Sequence, residues 1–175
     1  MGQTIVLVGM MGSGKTALGR QLAQRLNLPF LDTDAEIEKA TGMRISHIFE
    51  EQGEAAFRGY ERTKIAKLLA GEPCVLSTGG GAVMDAGTRE LIATKSTVIW
   101  LKARLETLLS RVSKDKNRPL LKTDNPAAKL QQLLDARTPF YSQAPIHIET
   151  DVKGFEETVE AMLKAVQNHH IPLKE

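Results

Sequence analysis

Ile5-Val6-Leu7-Val8-Gly9-Met10-Met11-Gly12-Ser13-Gly14-Lys15-Thr16 joins an unbroken apolar tetrad to a glycine-rich run that closes on a lysine and a threonine. Four consecutive apolar residues without alternation suit a strand covered on both faces, as in a parallel sheet. Gly9 to Thr16 matches the pattern G-x-x-x-x-G-K-[ST] at every fixed position. Glycines there allow backbone angles that turn successive N–H groups toward one anion. Beyond the run, Leu18, Leu22 and Leu26 recur every four residues, with Arg20, Gln21, Gln24 and Arg25 on the other side. That is the pattern of an amphipathic helix. A helix beginning near Lys15 adds the partial positive charge of its N-terminus to the cradle. Lys15 is placed to reach the β- and γ-phosphates of a nucleotide, and the Thr16 hydroxyl to ligate Mg²⁺.

Outward from this stretch, short apolar runs alternate with helix-period segments. The runs are Thr4–Val8, Pro29–Leu31, Cys74–Leu76, Thr97–Leu101 and Ile146–Ile148. Phe155, Val159, Met162, Leu163 and Val166 repeat the helical pattern near the C-terminus. Strand–helix alternation predicts a parallel sheet with helices on both faces. With 175 residues and no repeat or low-complexity segment, the chain fits one domain, residues 1–175. Hydrophobic residues make up 42% and charged residues 25%, the balance of a globular chain rather than a disordered one. The net charge of +2 is spread among nearly equal acids and bases, so nucleic acid is not an expected partner. The apolar stretch at the start is too short to span a bilayer and lacks a basic leader. No membrane association and a cytoplasmic location are expected. The one cysteine, Cys74, lies in an apolar run and reads as a buried thiol.

Within the P-loop class, no N-K-x-D guanine motif occurs, and the D-x-x-G string at Asp151–Gly154 follows the last strand, where a γ-phosphate sensor is not expected. The acids placed at a strand end are Asp32 and Asp34. One of them suits a metal and the other an acceptor hydroxyl. The structural alternative is that Asp34 caps a helix starting near Ala35. Gly79-Gly80-Gly81 ends another strand; close approach of a ligand to the backbone explains three glycines better than a bare turn. Ser113–Asn125 is polar, charged and carries Pro119. It reads either as a mobile functional loop or as a plain solvated connection.

These pieces, with Gly53-Glu54-Ala55-Ala56-Phe57-Arg58 followed by Glu61, with Arg118-Pro119-Leu120-Leu121, and with Arg137 and Tyr141, resemble the shikimate kinase family along nearly the whole chain. The P-loop alone is generic. G-E-x-x-F-R-x-x-E, the glycine triplet and R-P-L-L in this order are specific. The resemblance implies a three-layer α/β/α sandwich with a five-stranded parallel sheet of order 2-3-1-4-5, as in nucleoside monophosphate kinases. It implies transfer of the γ-phosphoryl of ATP to the 3-hydroxyl of shikimate, with one Mg²⁺ per subunit and a monomeric enzyme. By resemblance, Gly12, Ser13, Gly14, Lys15, Thr16 and Ala17 hold the phosphates. Thr16 binds Mg²⁺ directly and Asp32 through water. Asp34 binds the ring hydroxyls and accepts the proton of the attacking one. Arg58 and Arg137 clamp the substrate carboxylate, Gly80 and Gly81 border it, Arg118 reaches the transferring phosphate, and Arg111 lies against adenine. The substrate-binding region is residues 33–61 and the lid residues 113–125. The sequence departs from the family pattern at Gln143 and at Glu149-Thr150-Asp151, next to the expected adenine site. Judged alone, Arg58 and Arg137 read equally as surface ion pairs. The rivals are a gluconate or nucleoside monophosphate kinase of the same fold, and a nucleotide-binding regulator without catalysis.

Overall fold

A computed structural model describes residues 3–114 and 122–170. Five strands form one sheet: β1 (Ile5–Val8), β2 (Phe30–Asp32), β3 (Val75–Ser77), β4 (Thr97–Lys102) and β5 (Ile146–Glu149). Their spatial order is β2-β3-β1-β4-β5 and every pairing is parallel. β1 sits in the centre, with Val6 registered on Leu76 of one neighbour and Val98 of the other. The strand runs, the parallel sheet and its order follow the sequence-based expectation, with boundaries shifted by a residue or two.

Side chains of β1 alternate between two cores, as the two-residue period of a strand requires. Val6 and Val8 join Leu76, Val98, Ile65, Ile92, Leu108 and Leu130 on one face. Ile5 and Leu7 join Val75, Ile99, Leu18, Leu22, Val159 and Met162 on the other. Helices α1 (Lys15–Leu26) and α7 (Phe155–His170) cover the second face. The first face is covered by α3 (Ile45–Leu69), α4 (Ala86–Lys95), α5 (Leu105–Ser113) and α6 (Pro126–Tyr141). Phe155, expected on the buried face of α7, is instead exposed. It opens the first turn, beyond the reach of the sheet, so the apolar stripe begins at Val159. Cys74 is buried at the start of β3, its thiol against the Thr4 hydroxyl.

A smaller unit projects beside β2. α2 (Thr33–Thr41) and the first part of α3 close around Ile37, Ile48 and Phe57, a cluster separate from the two sheet cores. α3 breaks at Gly53, whose φ of 84° departs from helical geometry. The ends of the expected lid segment, residues 113–125, adjoin two helices. Ser113 is the last residue of α5, and Asn125 caps α6 by accepting from the Ala128 N–H. Residues 115–121, which include Arg118, lie outside the described residues. Among the described residues no helix is long and apolar enough to cross a membrane.

Candidate active site

The loop between β1 and α1 owes its course to Gly12 and Gly14, with φ of 79° and 96°. A Cβ at Gly12 would also stand 2.8 Å from Val112. Gly14 is the N-cap of α1, with no side chain capping the helix and no acid in its first turn. The first-turn amides of α1 are therefore left to an anion. Lys15 Nζ donates to Gly9 O at 2.7 Å and Met10 O at 3.0 Å, bent over its own loop. The Ser13 hydroxyl is buried with no hydrogen bond among the described residues. Thr16 and Ala17 lie exposed in the first turn of α1.

β2 ends at Asp32 and the chain turns at once into α2. The cap of that helix is Asp32, not Asp34: Asp32 Oδ1 accepts from the Ala35 N–H at 3.0 Å. This corrects the alternative in which Asp34 serves as the cap. Asp34 lies inside the first turn, so helical rather than strand geometry separates the two carboxylates. Asp34 Oδ1 is buried without a hydrogen-bond partner among the described residues. Burial first, then the negative charge of Asp32, push the Asp34 carboxyl up to about 6, against the pull of Lys15 and Arg58.

The glycine triplet follows β3 and forms the floor between these groups. A Cβ on Gly79 would lie 3.0 Å from Glu61 Oε2 and 3.2 Å from Asp34 Oδ1. One on Gly80 would lie 2.9 Å from Arg137 Nη1; one on Gly81 would overlap the Arg58 guanidinium and lie 3.2 Å from Arg137 Nη2. The triplet is small because two guanidinium groups and two carboxylates cross it. Arg58 Nη1 donates to Glu61 at 2.8 Å, and Nη2 reaches Glu54 at 3.4 Å. The ion-pair alternative thus holds for Arg58 in part. It fails for Arg137, which is only 8% exposed. The partners of Arg137 are neutral: its Nη1 faces Met10 Sδ at 4.0 Å, and the Tyr141 hydroxyl adjoins it. A buried cation among neutral groups is costly unless an anion joins it.

Two residues absent from the expected site complete it. Glu61 is fully buried, and its Oε2 has no hydrogen-bond partner among the described residues. Burial pushes its carboxyl up to about 7, against the Arg58 charge and hydrogen bond. Tyr141, pushed up to about 12 by burial, keeps its proton and donates it to Gly80 O. The i, i+3 spacing of Arg58 and Glu61 was the signal for the first. Tyr141 stands with Arg137 in the family resemblance, but no local pattern gave it a role, since its partner lies across the fold.

On the far side of the P-loop, Arg111 donates to Gly12 O at 3.0 Å and to both oxygens of Thr150. It ties the phosphate loop to the segment after β5. In that segment Asp151 accepts from the Arg104 N–H at 2.9 Å and the Thr107 hydroxyl at 2.9 Å. Those bonds, with the Arg104 charge, hold its carboxyl below the ordinary range although burial opposes them. Asp151 thereby caps α5 from a distance, which gives the D-x-x-G string a structural role.

A parallel 2-3-1-4-5 sheet with a nucleotide loop at the end of its central strand defines a P-loop kinase. The shikimate kinase family matches residues 11–167. A shikimate kinase of Zymomonas mobilis is 49% identical over 94% of this chain and 93% of its own length. Among solved structures, shikimate kinase from Acinetobacter baumannii in complex with shikimate superposes with a TM-score of 0.91 at 40% identity, covering 97% of this chain and 96% of that one. A gluconokinase from Sinorhizobium meliloti reaches a TM-score of 0.66 at 18% identity over 95% of this chain and 93% of its own, a likeness of fold alone. The chain belongs to the shikimate kinase family.

Proposed function

We propose that this chain transfers the γ-phosphoryl group of ATP to the 3-hydroxyl of shikimate, giving 3-phosphoshikimate and ADP. The observation that carries the reading is buried Arg137 among neutral partners, crossing the glycine triplet beside Arg58. Two guanidinium forks at one point suit a carboxylate, which each can grip with parallel hydrogen bonds. Gluconate also carries a carboxylate, but the relative that acts on it shares only the fold. A nucleoside monophosphate would bring a doubly charged phosphate and a base, and the apolar Ile37, Ile48 and Phe57 cluster beside the site is closed on itself.

On this reading the residues divide the work as follows. The amides of Gly12 to Ala17 and the Lys15 ammonium hold the triphosphate. Asp34, ionised above about pH 6, takes the proton of the attacking hydroxyl as oxygen–phosphorus bonding develops. Gly80 and Gly81 let the ring settle against the backbone. Glu61 positions Arg58, and Tyr141 positions Gly80. Arg111 lines the nucleotide side. Arg118 reaches the transferring phosphate from a lid at residues 113–125, and the substrate-binding region spans 33–61, all within one domain, 1–175. Charge cancellation and positioning supply most of the acceleration in such transfers.

The oxygen donors present fit Mg²⁺. Thr16 offers a hydroxyl, and Asp32 keeps one carboxylate oxygen beyond its cap. Among the described residues no group of three or more His, Cys, Asp or Glu gathers. A site with one or two protein oxygens, completed by phosphate and water, is the habit of Mg²⁺. When bound, the ion neutralises charge developing between the β- and γ-phosphates. On this proposal the enzyme is a monomer that acts in the cytoplasm, where ATP is supplied.

Purified protein with ATP and Mg²⁺ is assayed for ADP release against shikimate, gluconate and AMP. Only shikimate is expected to stimulate release. Stimulation by another acceptor with none by shikimate rejects the assignment, and none by any acceptor leaves the regulator.

A further inference from the structure

Behind Tyr141, on the side away from the glycine triplet, the fold leaves a cavity of about 290 Å³. It opens where α4, the end of α6 and the end of α7 meet the sheet. Val8, Ile92 and Val98 line it with aliphatic side chains, and Phe140 and Tyr141 with aromatic ones. Ala93 and His169 stand at the mouth, both exposed. Among the described residues the lining carries an arginine and a histidine and no Asp or Glu. Its cation, Arg89, has neutral partners: Nη1 donates to Val83 O at 2.6 Å and the guanidinium lies 4.2 Å from the centre of the Phe140 ring. An open cavity of this size, with aliphatic and aromatic side chains beside a cation in its lining, has features of a small-molecule site.

We propose that this cavity is a second ligand site, which takes a small organic carboxylate with a planar apolar body. The aromatic side chains of Phe140 and Tyr141 select the body. Arg89 selects the charge, through the guanidinium edge not turned to Val83. The site is coupled to the first by two contacts. Tyr141 walls the cavity with its ring and holds Gly80 O with its hydroxyl. Arg89 holds Val83, which lies in the 3₁₀ turn Ala82–Met84 directly after the triplet. A ligand that draws Arg89 toward itself shifts the peptide next to the carboxylate clamp. By linkage, acceptor and second ligand then change each other's affinity by one factor.

Binding is tested with 4-methylbenzoate, followed by NMR of the isotopically labelled chain in the presence of saturating shikimate. A saturable shift with a Kd on the order of 1 mM is expected for a probe this small. Arg89→Gln is expected to weaken it about tenfold or more, the usual effect of losing a charge-assisted contact. Ala93→Phe, a change at an exposed position, blocks the mouth and abolishes binding while leaving the melting temperature and basal turnover intact. The uncharged 4-methylbenzyl alcohol and the bodiless acetate are expected to bind at least about tenfold more weakly. Displacement of the probe by shikimate, equal affinity for the alcohol, or no saturable shift overturns the second site. These arms read binding alone and stand apart from the catalytic assignment. The coupling rests on that assignment: saturating probe is expected to change the KM for shikimate about fivefold, and an unchanged KM overturns it.

Discussion

In the proposed reaction Asp34 takes the proton of the attacking hydroxyl, and its surroundings suit that task. A buried carboxyl held at about 6 is ionised at neutral pH yet basic enough to draw a proton from an alcohol as it attacks. Asp34→Asn is expected to lower kcat by about 10²–10⁴-fold, the usual worth of a general base. ATP affinity, measured by equilibrium titration, should stay within about twofold, since the proposed role of Asp34 concerns only the acceptor. A loss of ATP affinity equal to the loss of turnover would show a folding defect instead. Glu61 adds a second titration. Its carboxyl sits at about 7, raised in part by the charge on Asp34, and it must be ionised to anchor Arg58 through their 2.8 Å bond. The acid limb of kcat/KM for shikimate is therefore expected near pH 7 in the native enzyme. In Glu61→Gln only the Asp34 limb remains, and the midpoint falls toward pH 6. A midpoint that does not move removes Glu61 from the profile.

At the scale of elements, the proposed role of the glycine triplet separates an effect on binding from an effect on folding. Gly81 has φ −93° and ψ 1°, angles open to any residue. What a methyl group there would displace is the guanidinium end of Arg58, a flexible side chain. Gly81→Ala is thus expected to leave the melting temperature within about 2 °C while raising the KM for shikimate about tenfold, as one charge-assisted contact is lost. Gly9 is the contrast: its φ is 149° and a Cβ would stand 2.7 Å from the carbonyl oxygen of Leu101, so both strain and clash fall on backbone. Gly9→Ala is expected to cost about 2 kcal/mol or more of stability, read by thermal unfolding. Equal effects of the two substitutions on stability would refute the distinction. The same contrast explains what the sequence could disclose. A P-loop, a glycine triplet and paired apolar runs are local patterns, each written in consecutive residues. Arg137 was legible only through family resemblance, because its burial against Met10 depends on how α6 packs across the sheet. Asp32 as the cap of α2 was missed because D-x-D offers two candidates, and one residue of difference in where a strand ends chooses between them.

For the whole molecule, the site's titrations bear on stability with a definite sign. Asp34 and Glu61 hold protons more tightly folded than unfolded. Their contribution is complete below about pH 4, and it is lost as pH rises through about 6 for Asp34 and about 7 for Glu61. Asp85 and Asp151 run the other way. Their folded carboxyls are lowered, Asp85 by the Thr88 bonds and the Arg62 charge at 2.9 Å. Their contribution is present above the ordinary carboxylate range and is lost as pH falls through it. Opposed slopes place the maximum of unliganded stability on the acid side of neutrality, below the pH at which Asp34 is ready to act. A site that keeps two orphaned carboxylate oxygens beside Gly79 gives up stability for function. Between pH 5 and pH 8 the loss is on the order of a few kcal/mol, most of it from the fully buried Glu61, which lowers the melting temperature by several degrees. Calorimetry of the unliganded enzyme across that range is expected to show the fall, and Asp34→Asn/Glu61→Gln to flatten it, since neither amide titrates. A melting temperature that climbs from pH 5 to pH 8 in the native enzyme would mean that the two carboxyls are not raised, and the pH dependence assigned to catalysis would go with them.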